Sequence, residues 1–263
     1  MGYHDGGCSL FGPPTRAVKG LLIANAAVFV LELLLLAVSK ELWPGFMEWF
    51  ALTPALAIGR LRVWQFVTYA FLHAVSYPPL HLVFNLWMLW MFGVEVESVL
   101  GTRRFLWLYF AAVLAGGLCM VPMYNNTALG ASAAVFGVMA MFARMFPDRI
   151  LLVFFVLPMR ARTLIFGIVA IEVLFQLAGG TGVAHLAHLG GFAIGWFFLP
   201  LDRWVVRSKR RWNDTRLGRE ERNDAKTREK VDALLAKVGR EGLGSLTEKE
   251  REFLARASKS FRR

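Results

Sequence analysis

Apolar residues along this chain gather into long runs, separated by shorter stretches that hold most of the charge. A membrane helix needs roughly 20 predominantly apolar residues, because each residue rises about 1.5 Å against a hydrocarbon core about 30 Å thick. Six runs fit that length, at residues 20–38, 81–100, 105–122, 129–146, 163–177 and 183–199. The pattern predicts an all-α polytopic membrane protein, a six-helix bundle occupying residues 1–201. The fourth run is rich in Ala, Gly and Met, which predicts a helix enclosed by others, since small residues let backbones approach closely. The stretch LLVFFVLP after Arg149 reads as an interfacial lead-in to the fifth run. The first connection, residues 40–80, is long and carries many Trp and Phe with few charges. Amphipathic aromatic side chains favour the interfacial layer, so a structured element is expected there.

The pattern changes after residue 201. Residues 202–263 hold 19 Lys or Arg and 11 Asp or Glu, a soluble basic tail. Within it Val231, Leu234, Leu235 and Val238 recur at helical spacing, Gly242 and Gly244 interrupt, and Ser245 with Glu248 forms a capping-box pattern before a second helix. A helical hairpin is expected, either held near anionic lipid by charge or docked on something specific.

Composition agrees with the membrane reading: 56% of residues are hydrophobic, with 22 Phe, 9 Trp and a mean hydropathy of +0.48. The net charge of +11 alone suggests nucleic acid, but no zinc-finger spacing or aromatic-basic strand pattern accompanies it. Basic residues instead flank the apolar runs mainly on one side: Arg16 and Lys19, Arg103 and Arg104, Arg144 to Arg162, and RWVVRSKRR after the sixth, against only Lys40, Arg60 and Arg62 on the other. Both termini are therefore expected to be cytoplasmic. Cys8 and Cys119 are the only cysteines, which argues against a disulfide framework. The first apolar run exceeds a signal-peptide core and is expected to remain as a membrane helix.

Candidate chemistry comes from depth. The second, fourth and sixth runs enter the bilayer from the same, outer side. His81 and Asn85 then stand one turn apart at the start of the second, Ser132 lies at the first turn of the fourth, and His188 falls in the second turn of the sixth. Each has an ordinary explanation. A membrane Ser often bonds to a carbonyl one turn back, a His can be interfacial or ligate metal, and an Asn can bridge helices. Their common level favours a joint role. An imidazole that accepts a Ser proton makes the hydroxyl a nucleophile. No Asp or Glu occurs in the outer half of the fourth or sixth run, so a Ser-His dyad fits better than a triad. His81, the Asn85 amide and the Ser132 N–H can donate to developing oxyanion charge.

The motifs WQFVTYAFLHA, HLVFNLWMLWMFG, VESVLG, LGASAAVFG and AHLGGFAIG, in this order over residues 19–201, resemble the rhomboid family of intramembrane serine proteases, specifically a six-span bacterial form with a cytoplasmic tail. The resemblance implies Ser132 as nucleophile, His188 as base, His81 and Asn85 as oxyanion donors, and Glu97 with Gly101 as architecture. It implies no metal or cofactor. Its partners would be single-span or unstable transmembrane substrates and membrane lipids, with no nucleic acid, in a bacterial inner membrane. His185, nearer the outer rim, is expected to be a mouth residue. Three positions depart from the family pattern: Ala133 stands where Gly is common, Gln65 follows Trp64 where Arg is common, and Phe136 occupies a position where some members have Tyr. The extra methyl at Ala133 is expected to tighten the cleft, and Gln65 to leave an anchoring charge missing. The competing readings are an inactive rhomboid-like binder in quality control and, from Glu32 and Glu172 inside the apolar runs, an ion transporter; each Glu is rather expected to bond another helix or to lie near an aqueous recess.

Overall fold

The computed structural model describes residues 12–76, 78–153, 156–178 and 184–199, and in the tail residues 229, 231–240, 242, 246–249 and 251–254. The chain divides into two compact units, Met1–Leu199 and Pro200–Arg263.

Among its described residues the first unit is mainly α-helical, with one hairpin, a 3-10 turn and an isolated bridge. Helix α1 spans Arg16–Val38, α2 Leu42–Phe50, α3 Pro54–Gly59 and α4 Gln65–Thr68, followed by a 3-10 turn at Tyr69–Phe71. Helix α5 spans Leu80–Leu100, α6 Thr102–Cys119 and α7 Ser132–Met145. Strands β1, Ile150–Val153, and β2, Leu157–Arg160, precede α8, Ala161–Leu177, and α9, His185–Leu199.

Among the described residues, α1 and α5 are the helices long and apolar enough to cross a membrane. The other apolar runs give shorter helices; α7 has 14 residues, hence about 21 Å of rise. The structure does not begin α7 at residue 129. Leu129 and Gly130 belong to the approach segment, and Gly130 adopts φ +113°, which ends any continuous helix there and makes Ser132 the first helical residue.

The first connection is a structured element of three short helices and a 3-10 turn. Its backbone supports the approach to α7: Leu52 pairs with Ala128 in both directions, and the Gly130 N–H donates to the Tyr69 carbonyl at 2.8 Å. Gln65 is fully buried, donating to the Glu48 carbonyl at 2.7 Å, while Thr53 N–H donates to its Oε1. The anchoring charge expected to be missing beside Trp64 comes from Arg62, which donates to the Glu48 carbonyl and carboxylate and lies 4.5 Å over the Trp49 ring.

The stretch LLVFFVLP leads into α8 as part of an antiparallel hairpin, with Ile150 opposite Arg160 and Val153 opposite Leu157. β-Branched Ile150 and Val153 favour extended backbone, and Pro158 cannot donate a helical hydrogen bond.

Glu97 is architectural. Its carboxylate accepts from the hydroxyls of Thr15 and Thr102 and from the N–H groups of Ala17 and Val18. These are donors that a helix start leaves without intrahelical acceptors, so one side chain caps α1 and joins it to the α5–α6 corner. Gly101, at φ +76°, turns that corner.

Helix α7 is the centre of the unit, buried at every residue from Ala133 to Ala143. Small residues permit this. A Cβ on Gly191 would lie 1.9 Å from the Ala133 carbonyl oxygen, and one on Gly195 would lie 2.0 Å from that of Gly137. From α6, a Cβ on Gly116 would lie 2.6 Å from that of Ala133 and 2.8 Å from the Ala187 carbonyl oxygen of α9. The Ala133 methyl thus fills the α6–α7 seam, so the cleft is not where it packs.

In the second unit, residues 231–240 are helical, with Leu234 buried, Val231 and Val238 half-buried and Leu235 exposed. Gly242 follows at φ +80°, its N–H bonded to the Val238 carbonyl, and helix resumes at Glu248. Ser245, the expected cap, lies outside the described residues.

Candidate active site

Four helices bring their polar groups together. Ser132, at the head of α7, has its Oγ 2.7 Å from Nε2 of His188 on α9. The seam explains the approach: Gly191 and Gly195 continue the ridge that starts with Ala187, and their missing side chains let α9 rest on the α7 backbone. The Phe136 ring, one turn below Ser132, stacks on the His188 imidazole at 4.5 Å and 5°. Phe therefore supports the ring face without a hydroxyl.

From α5, His81 and Asn85 reach the same place. The His81 ring lies against Gly130, where a Cβ would sit 2.8 Å from His81 Nε2 and 3.8 Å from Asn85 Nδ2. Asn85 Nδ2 donates one hydrogen to the His81 carbonyl at 2.8 Å, and the amide carries a second. Ser132, His188 and His81 line one cavity of about 510 Å³, floored by Ala74, Thr127, Ala128, Leu129 and Ala184. A second cavity of about 300 Å³ adjoins it through Ser132 and His81, and includes Asn85 and Phe136. All four residues singled out from sequence are thus brought together.

His185 is not a mouth residue. It is buried, with Nδ1 2.5 Å from Glu172 Oε2. The same oxygen is 2.9 Å from Nδ1 of His188. The expectation of no nearby acid fails because the carboxylate comes from α8 and not from α7 or α9. The signal was a lone Glu in IVAIEVLF: an ionisable group on an apolar helix needs a partner, and two His lie on the next helix. Glu32 likewise finds a partner, accepting the His73 backbone N–H at 3.2 Å to each oxygen.

Among known families, a model described as "Rhomboid domain" matches residues 60–204, more than half of the chain. The protein belongs to the rhomboid family, and family membership together with two helices of spanning length makes it a membrane protein. Rhomboid protease GlpG of Yersinia pestis (strain Pestoides F) is 30% identical over 205 residues, 76% of this chain and 65% of that protein. Rhomboid protein 1, mitochondrial, of Saccharomyces cerevisiae is 30% identical over 190 residues, 69% of this chain and 52% of that one. The chain thus spans somewhat under two thirds of its bacterial relatives' length. Residues 219–260 match a separate family of unknown function, DUF6576.

Proposed function

We propose that the protein is an intramembrane serine endopeptidase that cleaves transmembrane segments, with Ser132 as nucleophile and His188 as base. The observation that carries this reading is the 2.7 Å approach of Ser132 Oγ to His188 Nε2, within a cavity that His81 also lines. Ser132 attacks the scissile carbonyl while His188 takes its proton; His188 then protonates the leaving amine and activates the water that releases the acyl-enzyme. His81, Asn85 and the Ser132 N–H at the positive end of α7 donate to the oxyanion. Substrates are single-span or unstable membrane proteins, since a scissile bond must leave its helical hydrogen bond before attack. The six apolar runs form a six-span bundle over residues 1–201 in a bacterial inner membrane, with both termini and the basic tail of residues 202–263 cytoplasmic.

The test is cleavage of a helix-weak model span by purified protein in proteoliposomes. Ser132→Ala and His188→Ala are each expected to abolish cleavage while leaving membrane insertion intact. Undiminished cleavage by Ser132→Ala would contradict the nucleophile assignment. A wild-type protein that binds the span without cutting it would favour a non-proteolytic binder.

A further inference from the structure

We infer that Glu172 is a positioning residue for this site, making it a Ser132–His188–Glu172 triad in which α8 supplies the acid. The inference rests on the Ser-His reading above. A carboxylate oxygen only accepts, so the 2.9 Å contact of Glu172 Oε2 with His188 Nδ1 is satisfied when Nδ1 carries the proton. Nε2 is then left as an acceptor, facing the Ser132 hydroxyl at 2.7 Å, the tautomer a general base requires. Phe136 covers one ring face and Glu172 fixes rotation about the ring, so both orientational freedoms of His188 are held.

His185 completes the arrangement. Its Nδ1 donates to the same Oε2, and Phe175 stacks on its ring at 5.7 Å. The second donor keeps the carboxylate turned toward α9. Side-chain exposures of 14% for Glu172, 9% for His188 and 4% for His185 leave little water to compete. The fully buried residues of α8, Ala161 and Ile165, lie well before Glu172, so packing alone does not fix this part of the helix.

The three groups also have the residue types of a metal site. Their spacing favours protons. Ligands about 2.0–2.1 Å from a tetrahedral zinc stand roughly 3.3 Å apart, whereas the two N···O separations here are 2.5 and 2.9 Å, hydrogen-bond lengths.

The full-length protein in proteoliposomes tests this with the same model span. Glu172→Gln is expected to lower kcat at least about tenfold with KM within about twofold, because a neutral amide no longer stabilises the imidazolium that forms when His188 takes the Ser132 proton. Glu172→Asp keeps the anion one methylene further away and is expected to recover part of that loss, with the melting temperature unchanged in both. Wild-type kcat in Glu172→Gln would overturn the inference. So would an equal loss in Glu172→Asp with a lowered melting temperature, the mark of a merely structural link. If Glu172→Gln does not accumulate, Glu172→Asp decides alone: lowered kcat at wild-type KM supports the triad, and wild-type kcat overturns it. Cleavage that survives Ser132→Ala would instead remove the underlying reading, and the inference with it, while cleavage lost in Ser132→Ala but intact in Glu172→Gln removes the triad alone.

Discussion

Helices α1 and α7 are both apolar, yet they do opposite things with their side chains. α1 turns Ile23, Val30, Leu33 and Leu34 outward and buries a single face that includes Asn25, Phe29 and Glu32. α7 buries every residue from Ala133 to Ala143. Side-chain size explains the difference. Leucines face lipid at no cost, whereas Ala and Gly leave space that only another backbone can fill. Hydropathy marks both helices as membrane material, and the small residues mark the one that carries chemistry.

Filling the seam is the strongest way to break this contrast. Gly191→Ala sets a methyl against the Ala133 carbonyl oxygen, and neither backbone can yield without parting α9 from α7. Expected losses are at least about 3 kcal/mol of stability, read as a fall in melting temperature, and all cleavage, since Ser132 and His188 separate. A folded, active Gly191→Ala protein would refute the close-packed seam.

The polar face of α1 gives an intermediate effect. Glu32 holds the His73 backbone, and the imidazole of His73 is buried, with no partner for Nε2 among the described residues. Burial, with the neighbouring His81 second, pushes its pKa down from 6.5 to about 4. The unfolded state therefore binds the extra proton between those values, so this contribution is present above pH 6.5 and is lost as pH falls toward 4. As pH falls across that window, the wild-type melting temperature in detergent is expected to fall relative to that of His73→Gln. A slope identical in the variant would assign the acid sensitivity elsewhere.

Least is expected on the outward face. Leu33→Ala removes a side chain that is 43% exposed and is expected to change stability by no more than about 0.5 kcal/mol in the same melting assay. A larger loss would mean that α1 packs on more than one face.

Much of this was legible beforehand. Ser132, His188, His81 and Asn85 were found by combining motif order with depth, and the enclosed fourth helix by its Ala and Gly content. What escaped depended on contacts between helices. Glu172 was expected to bond another helix and does so, but its partners could not be named, because they lie on the following helix and periodicity within IVAIEVLF does not reach them. His185 looked peripheral for the same reason: height along a helix says how near the rim a residue stands, and says nothing of which neighbour it faces. The hairpin at residues 150–160 was hidden by an apolar run too short to separate strand from helix. Gln65 seemed a lost anchor, but Arg62, three residues earlier, approaches the same Glu48.

The most direct test of the central claim, that the α7–α9 seam activates Ser132, is labelling of the full-length protein in membranes with a fluorophosphonate, followed by mapping of the adduct. A single adduct on Ser132 is expected, lost in Ser132→Ala and in His188→Ala. An adduct elsewhere, or equal labelling of Ser132 when His188 is replaced, would contradict it.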